Sequence, residues 1–298
     1  MSRKNIQKVI LCSALLCGYA QAETLTGTLK KIDDQNLVTV GYRESNVPFS
    51  YKDDGDKVLG YSQEYSNKIV DAIKKRLNKQ NIAVKFISIT SPNRIPLLQN
   101  NVYDFECGST TNNPERQKQV TFSNTIFIVG TKLLVKKGSG IHDFSDLNGK
   151  TVSTTGGTTS EILLNKMNSD KKMQMRIISA QEGGASAFHT LETGRASAFM
   201  MDDALLAGDR AKARKPSDWE IVGTPQSREA YGCMLRKDDP QFEKLVDDTI
   251  ASAQTSGEAA KWFTRWFMQP VPPKNLNMDF AMSGDMKNLF AHPDNKAL

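Results

Sequence analysis

The stretch Phe105-Glu106-Cys107-Gly108-Ser109-Thr110-Thr111-Asn112-Asn113-Pro114-Glu115-Arg116 runs from an extended apolar segment into a row of hydroxyls and then a guanidinium. Hydroxyls and free backbone amides hold charged groups by neutral hydrogen bonds, and an arginine forks two charge-assisted bonds onto a carboxylate. These are the groups that grip an amino acid. Related residues recur along the chain: Arg43, Ser91, Arg94, the turn Thr155-Gly156-Gly157-Thr158-Thr159-Ser160, and Asp202. A glycine-rich turn that opens a helix offers unpaired N–H groups and the positive dipole end to a carboxylate. An ammonium is met by Asp202 with the oxygens of Ser109 and Thr111. A single carboxylate does not need Arg43, Arg94 and Arg116 together, so the set describes a zwitterion carrying extra negative charge.

Each residue alone has a plainer reading. An arginine is more often a surface ion-pair partner, and Arg116 follows Glu115 directly. Asp202-Asp203 before a helix reads equally as an N-cap pair. Gly156-Gly157 lacks the Gly-Lys-Ser/Thr ending of a phosphate loop. His142, His189 and His292 are scattered without metal-ligand spacing, no Gly-x-Ser-x-Gly elbow occurs, and no cofactor is implied. Shared placement favours the binding reading, because every candidate falls just past the carboxyl end of a predicted strand, where open α/β sheets hold ligands.

Those strands emerge from the hydrophobic pattern. Leu37–Tyr42 alternates and is β-branched, Tyr65, Ile69, Ala72, Ile73 and Leu77 repeat at helical spacing, and residues 84–89 are extended again. Ser91 is placed to cap a short helix carrying Ile95, Leu97 and Leu98. A second series follows Phe122-Ser123, with strands near 131–135, 151–154, 176–179, 196–201 and 220–222, and helices near 160–167, 185–193 and 204–212. Residues 231–236 read as a strand, Phe242 to Ile250 as a helix, and Trp262-Phe263-Trp266-Phe267 as core packing of a closing helix. The tail from Pro270 reads as an irregular wrap. Strand and helix alternation predicts an α/β fold with largely parallel strands in two open sheets.

Size and address agree with this. Arg3, Lys4 and Lys8 precede an apolar run too short to span a bilayer, and Ala20-Gln21-Ala22 has the small-x-small cleavage pattern, so residues 1–22 read as an export leader. Leu11 and Leu16 precede Cys12 and Cys17 where a lipidated cysteine needs a small residue, which disfavours lipidation. Loss of the three leader cations lowers the net charge from +6 to +3, and the remaining basic residues lack interleaved aromatics, so no nucleic-acid partner is expected. The remaining length exceeds the usual single core, which favours two lobes. Cys107 and Cys233 are left in an oxidising compartment. A bond between them would close a loop of over a hundred residues, worth about 4–5 kcal/mol by chain entropy, and two buried free thiols are the alternative.

Gly41-Tyr42-Arg43-Glu44-Ser45, Ser91-Pro92-Asn93-Arg94-Ile95-Pro96-Leu97-Leu98-Gln99-Asn100, residues 104–113, Phe199-Met200-Met201-Asp202-Asp203-Ala204-Leu205-Leu206-Ala207-Gly208 and residues 231–239 resemble the periplasmic solute-binding proteins, family 3, that feed polar amino acids to ABC importers. The resemblance implies a monomeric two-lobed clamshell on two hinge strands, type II, closing over L-glutamate or L-aspartate and docking on a membrane permease. It implies a division into residues 23–127 and 230–298 for lobe I and 128–229 for lobe II. Arg116 and the helix start at Thr158 and Thr159 would take the α-carboxylate, Asp202, Ser109 and Thr111 the ammonium, and Arg43, Ser91 and Arg94 the side-chain carboxylate. One departure stands out: a close relative in the family carries a histidine in the loop that reads here Gln181-Glu182-Gly183-Gly184-Ala185, one residue longer and without it. Periplasmic cyclohexadienyl dehydratases also resemble the family, but such an enzyme needs a general acid over a ring, and Glu44 and Glu182 lack a clear partner.

Overall fold

The computed structural model describes residues 24–181 and 183–298. The leader, and Glu182 in the loop that departs from the family, lie outside the described residues. The main sheet runs in the order Ala83–Ser88, Leu37–Tyr42, Phe105–Glu106, Glu229–Leu235 and Thr111–Asn112, and Thr121–Val129 also pairs with Glu229–Leu235. The second sheet runs Arg176–Ala180, Thr151–Thr155, Ala198–Asp202, Thr131–Lys136 and Trp219–Val222. The chain therefore leaves the first sheet at Val129, enters the second at Thr131, and returns after Val222 at Glu229. These two crossings are the hinge strands of a two-lobed clamshell.

Both sheets are mixed, which corrects the expectation of largely parallel strands. Leu37–Tyr42 is parallel to its two neighbours, but Glu229–Leu235 runs antiparallel to all of its partners. In the second sheet Thr131–Lys136 is antiparallel to both of its neighbours. The strands that follow the two crossings, Thr131–Lys136 and Glu229–Leu235, are thus the ones that run antiparallel to their neighbours.

Amphipathic helices close the layers. Tyr61–Leu77 buries Tyr61, Tyr65, Ile69 and Ile73, four residues apart, carries Lys74, Lys75 and Arg76 in its last turn, and stops at Asn78 in the left-handed conformation. Tyr61 meets Phe49, Phe127, Phe263 and Phe267, Tyr65 meets Trp262, and the Phe127 and Phe267 rings stack at 4.8 Å. Leu133, Val135, Val152, Leu164, Ala198 and Met200 make the core of the other lobe. Cys107 and Cys233 form a disulfide across the main sheet, with Cα atoms 4.2 Å apart.

Several elements escaped the sequence reading. Helix Gly27–Gln35 has sparse apolar residues, and Thr121–Val129 spans the point taken as the break between series. The tail contains a helix, Gly284–Ala291, whose buried Met286, Leu289 and Phe290 do follow helical spacing. The rest of the tail is an irregular wrap touching both lobes, through Tyr51 Oη to the Pro272 carbonyl at 2.7 Å and Arg210 Nη2 to the Met278 carbonyl at 3.0 Å.

The lobes meet over the cleft. Lys212 Nζ donates to the Ser45 carbonyl at 3.3 Å. Gly208 packs so closely on the Val47 carbonyl that a Cβ would stand 2.0 Å from its oxygen, and Gly157, at φ +74°, faces Pro92 across the mouth.

Candidate functional site

A narrow cavity lies between the lobes, lined by the sequence-predicted Arg43, Ser91, Arg94, Ser109, Thr111, Arg116, Thr158, Thr159 and Asp202. All nine therefore converge. Thr155, the first residue of the predicted glycine turn, lines it too, as do Asn46, Met201 and Leu205, which were not anticipated.

On the main-sheet side, Arg43 follows Leu37–Tyr42 and is 4% exposed, and its guanidinium makes no hydrogen bond to another described residue. Arg94 opens helix Arg94–Gln99 and is 2% exposed. Its Nη1 donates to Thr110 Oγ1 at 2.7 Å, while its buried Nε has no partner. Arg116 Nη1 donates to the Thr111 carbonyl at 2.9 Å. Glu115 pairs with Lys118 instead, so the salt-bridge reading of Arg116 falls. Ser91 does not cap the short helix: Asn93 holds that position, and the Ser91 hydroxyl is left to the cavity wall. Asn46 Nδ2 donates to Ser109 Oγ at 2.9 Å.

Burial, with Arg94 adding like-charge repulsion, lowers Arg43 to about 10 and Arg116 to about 9. Both remain cations at neutral pH. Their charge is balanced partly by Glu106, 1% exposed, which accepts a hydrogen bond from the Thr110 hydroxyl and thereby sits behind Arg94. Burial raises Glu106 above the ordinary carboxylate value, while Arg94 pulls it back. Strand alternation could have revealed this residue, because Phe105 and Cys107 enter the core and leave Glu106 and Gly108 on the cavity side.

On the other side, Thr158 Oγ1 accepts from Glu161 N at 3.1 Å and donates to the Thr155 carbonyl at 2.7 Å. Its hydroxyl closes the start of helix Thr159–Asp170, so only its backbone is left for a ligand. Asp202 ends Ala198–Asp202 at the N-cap position of helix Asp203–Lys212, yet it caps nothing, and Asp203 serves the Ala204 amide at 2.8 Å. Asp202 instead accepts from Tyr231 Oη, and from Thr131 Oγ1 and Ser160 Oγ, both at 3.3 Å. Glu229, at the second crossing, joins the same network and was not anticipated.

Burial and the neighbouring Glu229 carboxylate push Asp202 up to about 8. An acid whose folded value exceeds its unfolded value of 3.8 contributes stability fully below the latter, and loses it as pH rises through the former. Asp202→Asn, which cannot ionise, should therefore melt about 2–4 °C above wild type in the absence of ligand near pH 8, the shift expected of ~1 kcal/mol. Calorimetric melts across pH 4–9 check this, and a variant less stable than wild type at pH 8 would contradict the account of Asp202.

The sequence matches the family described as bacterial extracellular solute-binding proteins, family 3, over residues 38–269. The chain belongs to that family. Among family 3 relatives it is 65% identical over 302 residues to the glutamate/aspartate import solute-binding protein of Escherichia coli, covering all of both chains. It is 55% identical to the L-glutamate/L-aspartate-binding protein of Pseudomonas aeruginosa, covering 98% of this chain and 97% of that one. Among solved structures, a mutant of ArgBP from T. maritima matches with a TM-score of 0.71 at 25% identity, over 80% of this chain and 99% of that one. An ancestral amino acid-binding protein, a precursor of cyclohexadienyl dehydratase, matches at 0.69 and 27% identity, over 81% and 99%. A precursor of the dehydratase thus shares this fold, but of the two general-acid candidates Glu44 is exposed outside the cavity and Glu182 lies outside the described residues.

Proposed function

We propose that this chain is a periplasmic receptor, released from a cleavable leader at residues 1–22, that captures L-glutamate and L-aspartate and delivers them to an ABC-type permease. The observation that carries the reading is the pair of buried guanidinium groups, Arg43 and Arg94, that line one narrow cavity with Asp202: Arg94 Nε is buried without a partner, and the Arg43 guanidinium makes no hydrogen bond to another described residue. A buried donor without an acceptor costs about 1–3 kcal/mol or more when charged, so such a pair is explained by a carboxylate that arrives. The names of the full-length relatives support the same ligand class.

In this reading lobe I comprises residues 23–127 and 230–298, and lobe II residues 128–229. Arg43, Arg94 and Ser91 receive the side-chain carboxylate. Arg116 and the backbone at Thr158 and Thr159 hold the α-carboxylate, and Asp202 with Ser109 and Thr111 takes the ammonium. Work comes from hinge closure, which removes water from these charges and presents a joined surface to the permease. The ammonium draws Asp202 back to its ionised form, so binding below pH 8 releases protons.

A thermal-shift panel of the common amino acids tests the reading. Glutamate and aspartate at a hundredfold excess over Kd should each raise the melting temperature by about 5–10 °C, following ~2.7 kcal/mol of linkage. No shift with either acid, or a larger one with arginine or a neutral amino acid, would overturn it.

A further inference from the structure

Glu229 is 5% exposed and stands at the return crossing, outside the set assigned to the ligand. Its Oε2 accepts from two hydroxyls that belong to opposite lobes: Thr111 Oγ1 at 2.6 Å, on a strand of the main sheet, and Thr159 Oγ1 at 2.7 Å, at the start of helix Thr159–Asp170. Its Oε1 accepts from Ser227 Oγ at 2.9 Å, at the return crossing, and lies 3.4 Å from Thr131 Oγ1, at the outward one, whose single proton is shared among Glu229, Asp202 and Ser227. A single carboxylate thus collects donors from both lobes and both hinge strands.

This has a chemical consequence. A hydroxyl has one proton and two lone-pair sites. With their protons directed at Glu229, Thr111 and Thr159 offer the cavity only lone pairs from their side chains. Thr111 is then fixed as an acceptor, suited to an ammonium and unsuited to a carboxylate or a carbonyl oxygen. Thr159 can reach an α-carboxylate only through its backbone N–H. Glu229 also adds a second negative charge behind Asp202, linked to it through the shared Thr131 hydroxyl.

We infer that Glu229 is a positioning residue that ties the closed lobes together and fixes the hydroxyl directions, so that the receptor takes acidic ligands bearing an α-ammonium and rejects dicarboxylates that lack one. The inference rests on the ligand reading above and deepens it. Glutamine at this position keeps the shape, but with its NH2 in place of Oε2 it donates to both threonine oxygens and turns both hydroxyls round, so that they can now serve an anionic or neutral group.

The test compares L-glutamate, L-aspartate and glutarate, the dicarboxylate without the amino group, by calorimetry on the mature chain as wild type, Glu229→Gln, Thr159→Val and the double variant. Glu229→Gln should weaken glutamate and aspartate by the same factor, at least tenfold, and weaken glutarate much less, lowering the glutamate-to-glutarate ratio. The double variant should bind glutamate at least fivefold better than the product of the single effects requires, because both changes remove one tie. A purely structural Glu229 would weaken all three ligands alike. Glutamate binding within threefold of wild type, an unchanged ratio, or additive effects each overturn the inference while leaving the receptor reading intact; a wild-type chain that binds neither acid sinks both. If Glu229→Gln does not fold, Thr159→Val alone must lower the ratio, and an unchanged ratio is decisive against the tie.

Discussion

Alanine at Arg94 or at Arg43 is expected to weaken glutamate binding by about 2–5 kcal/mol, the range for truncating one side of a desolvated charge pair. The two replacements should differ in what they do to the ligand-free protein. Arg94 donates to Thr110, which in turn donates to Glu106, so its removal strands a buried carboxylate and should lower the melting temperature. Arg43 makes no hydrogen bond of this kind, lies beside Arg94, and is held to about 10 by burial and that repulsion against only a weaker pull from Glu106. Its loss should leave the ligand-free melting temperature unchanged or raise it. Calorimetric titration and melting of the two variants separate these effects, and either variant binding glutamate within a few-fold of wild type would sink the assignment of the side-chain carboxylate to this pair.

Replacing Cys107 and Cys233 by serine should lower the unfolding free energy by about 4–5 kcal/mol, because their bond constrains a sequence separation of 126 residues in the unfolded chain. The comparison requires denaturant titrations of both forms without reductant. A difference under about 1 kcal/mol would mean that the main sheet alone fixes the cleft-lining segment. Reductant should reproduce the mutant curve with the wild-type protein.

The strands that hold the site were legible because their ends carry unusual residue types in a regular pattern. Arg43 and Asp202 both fall where a β-branched or apolar run stops, and the sheets do place both at the cavity. What stayed hidden were the residues that partner the predicted ones. Glu106 was within reach of strand alternation, but Glu229 looks like an ordinary exposed carboxylate, and only the register that pairs it with Val129 turns it inward. Thr158 and Thr159 were grouped as one grip on a carboxylate, but the cap engages one hydroxyl and Glu229 the other. Hydroxyl roles depend on neighbours distant in sequence, and no local period encodes those. Helix Gly27–Gln35 was missed for the opposite reason, since it buries only Thr28, Leu29 and Ile32 and has little periodicity to read.

The place of Glu229–Leu235 between Phe105–Glu106 and Thr111–Asn112 bears on how the molecule is made. A chain that emerges N-terminus first delivers every strand of the second sheet, up to Val222, before this central strand arrives. The later-built lobe can therefore mature first, while the earlier one waits as separate pieces with open strand edges. During that interval Cys107 has no correct partner. The half-built sheet keeps those edges open until residue 235 has emerged, which makes the nearly complete chain the form most exposed to aggregation.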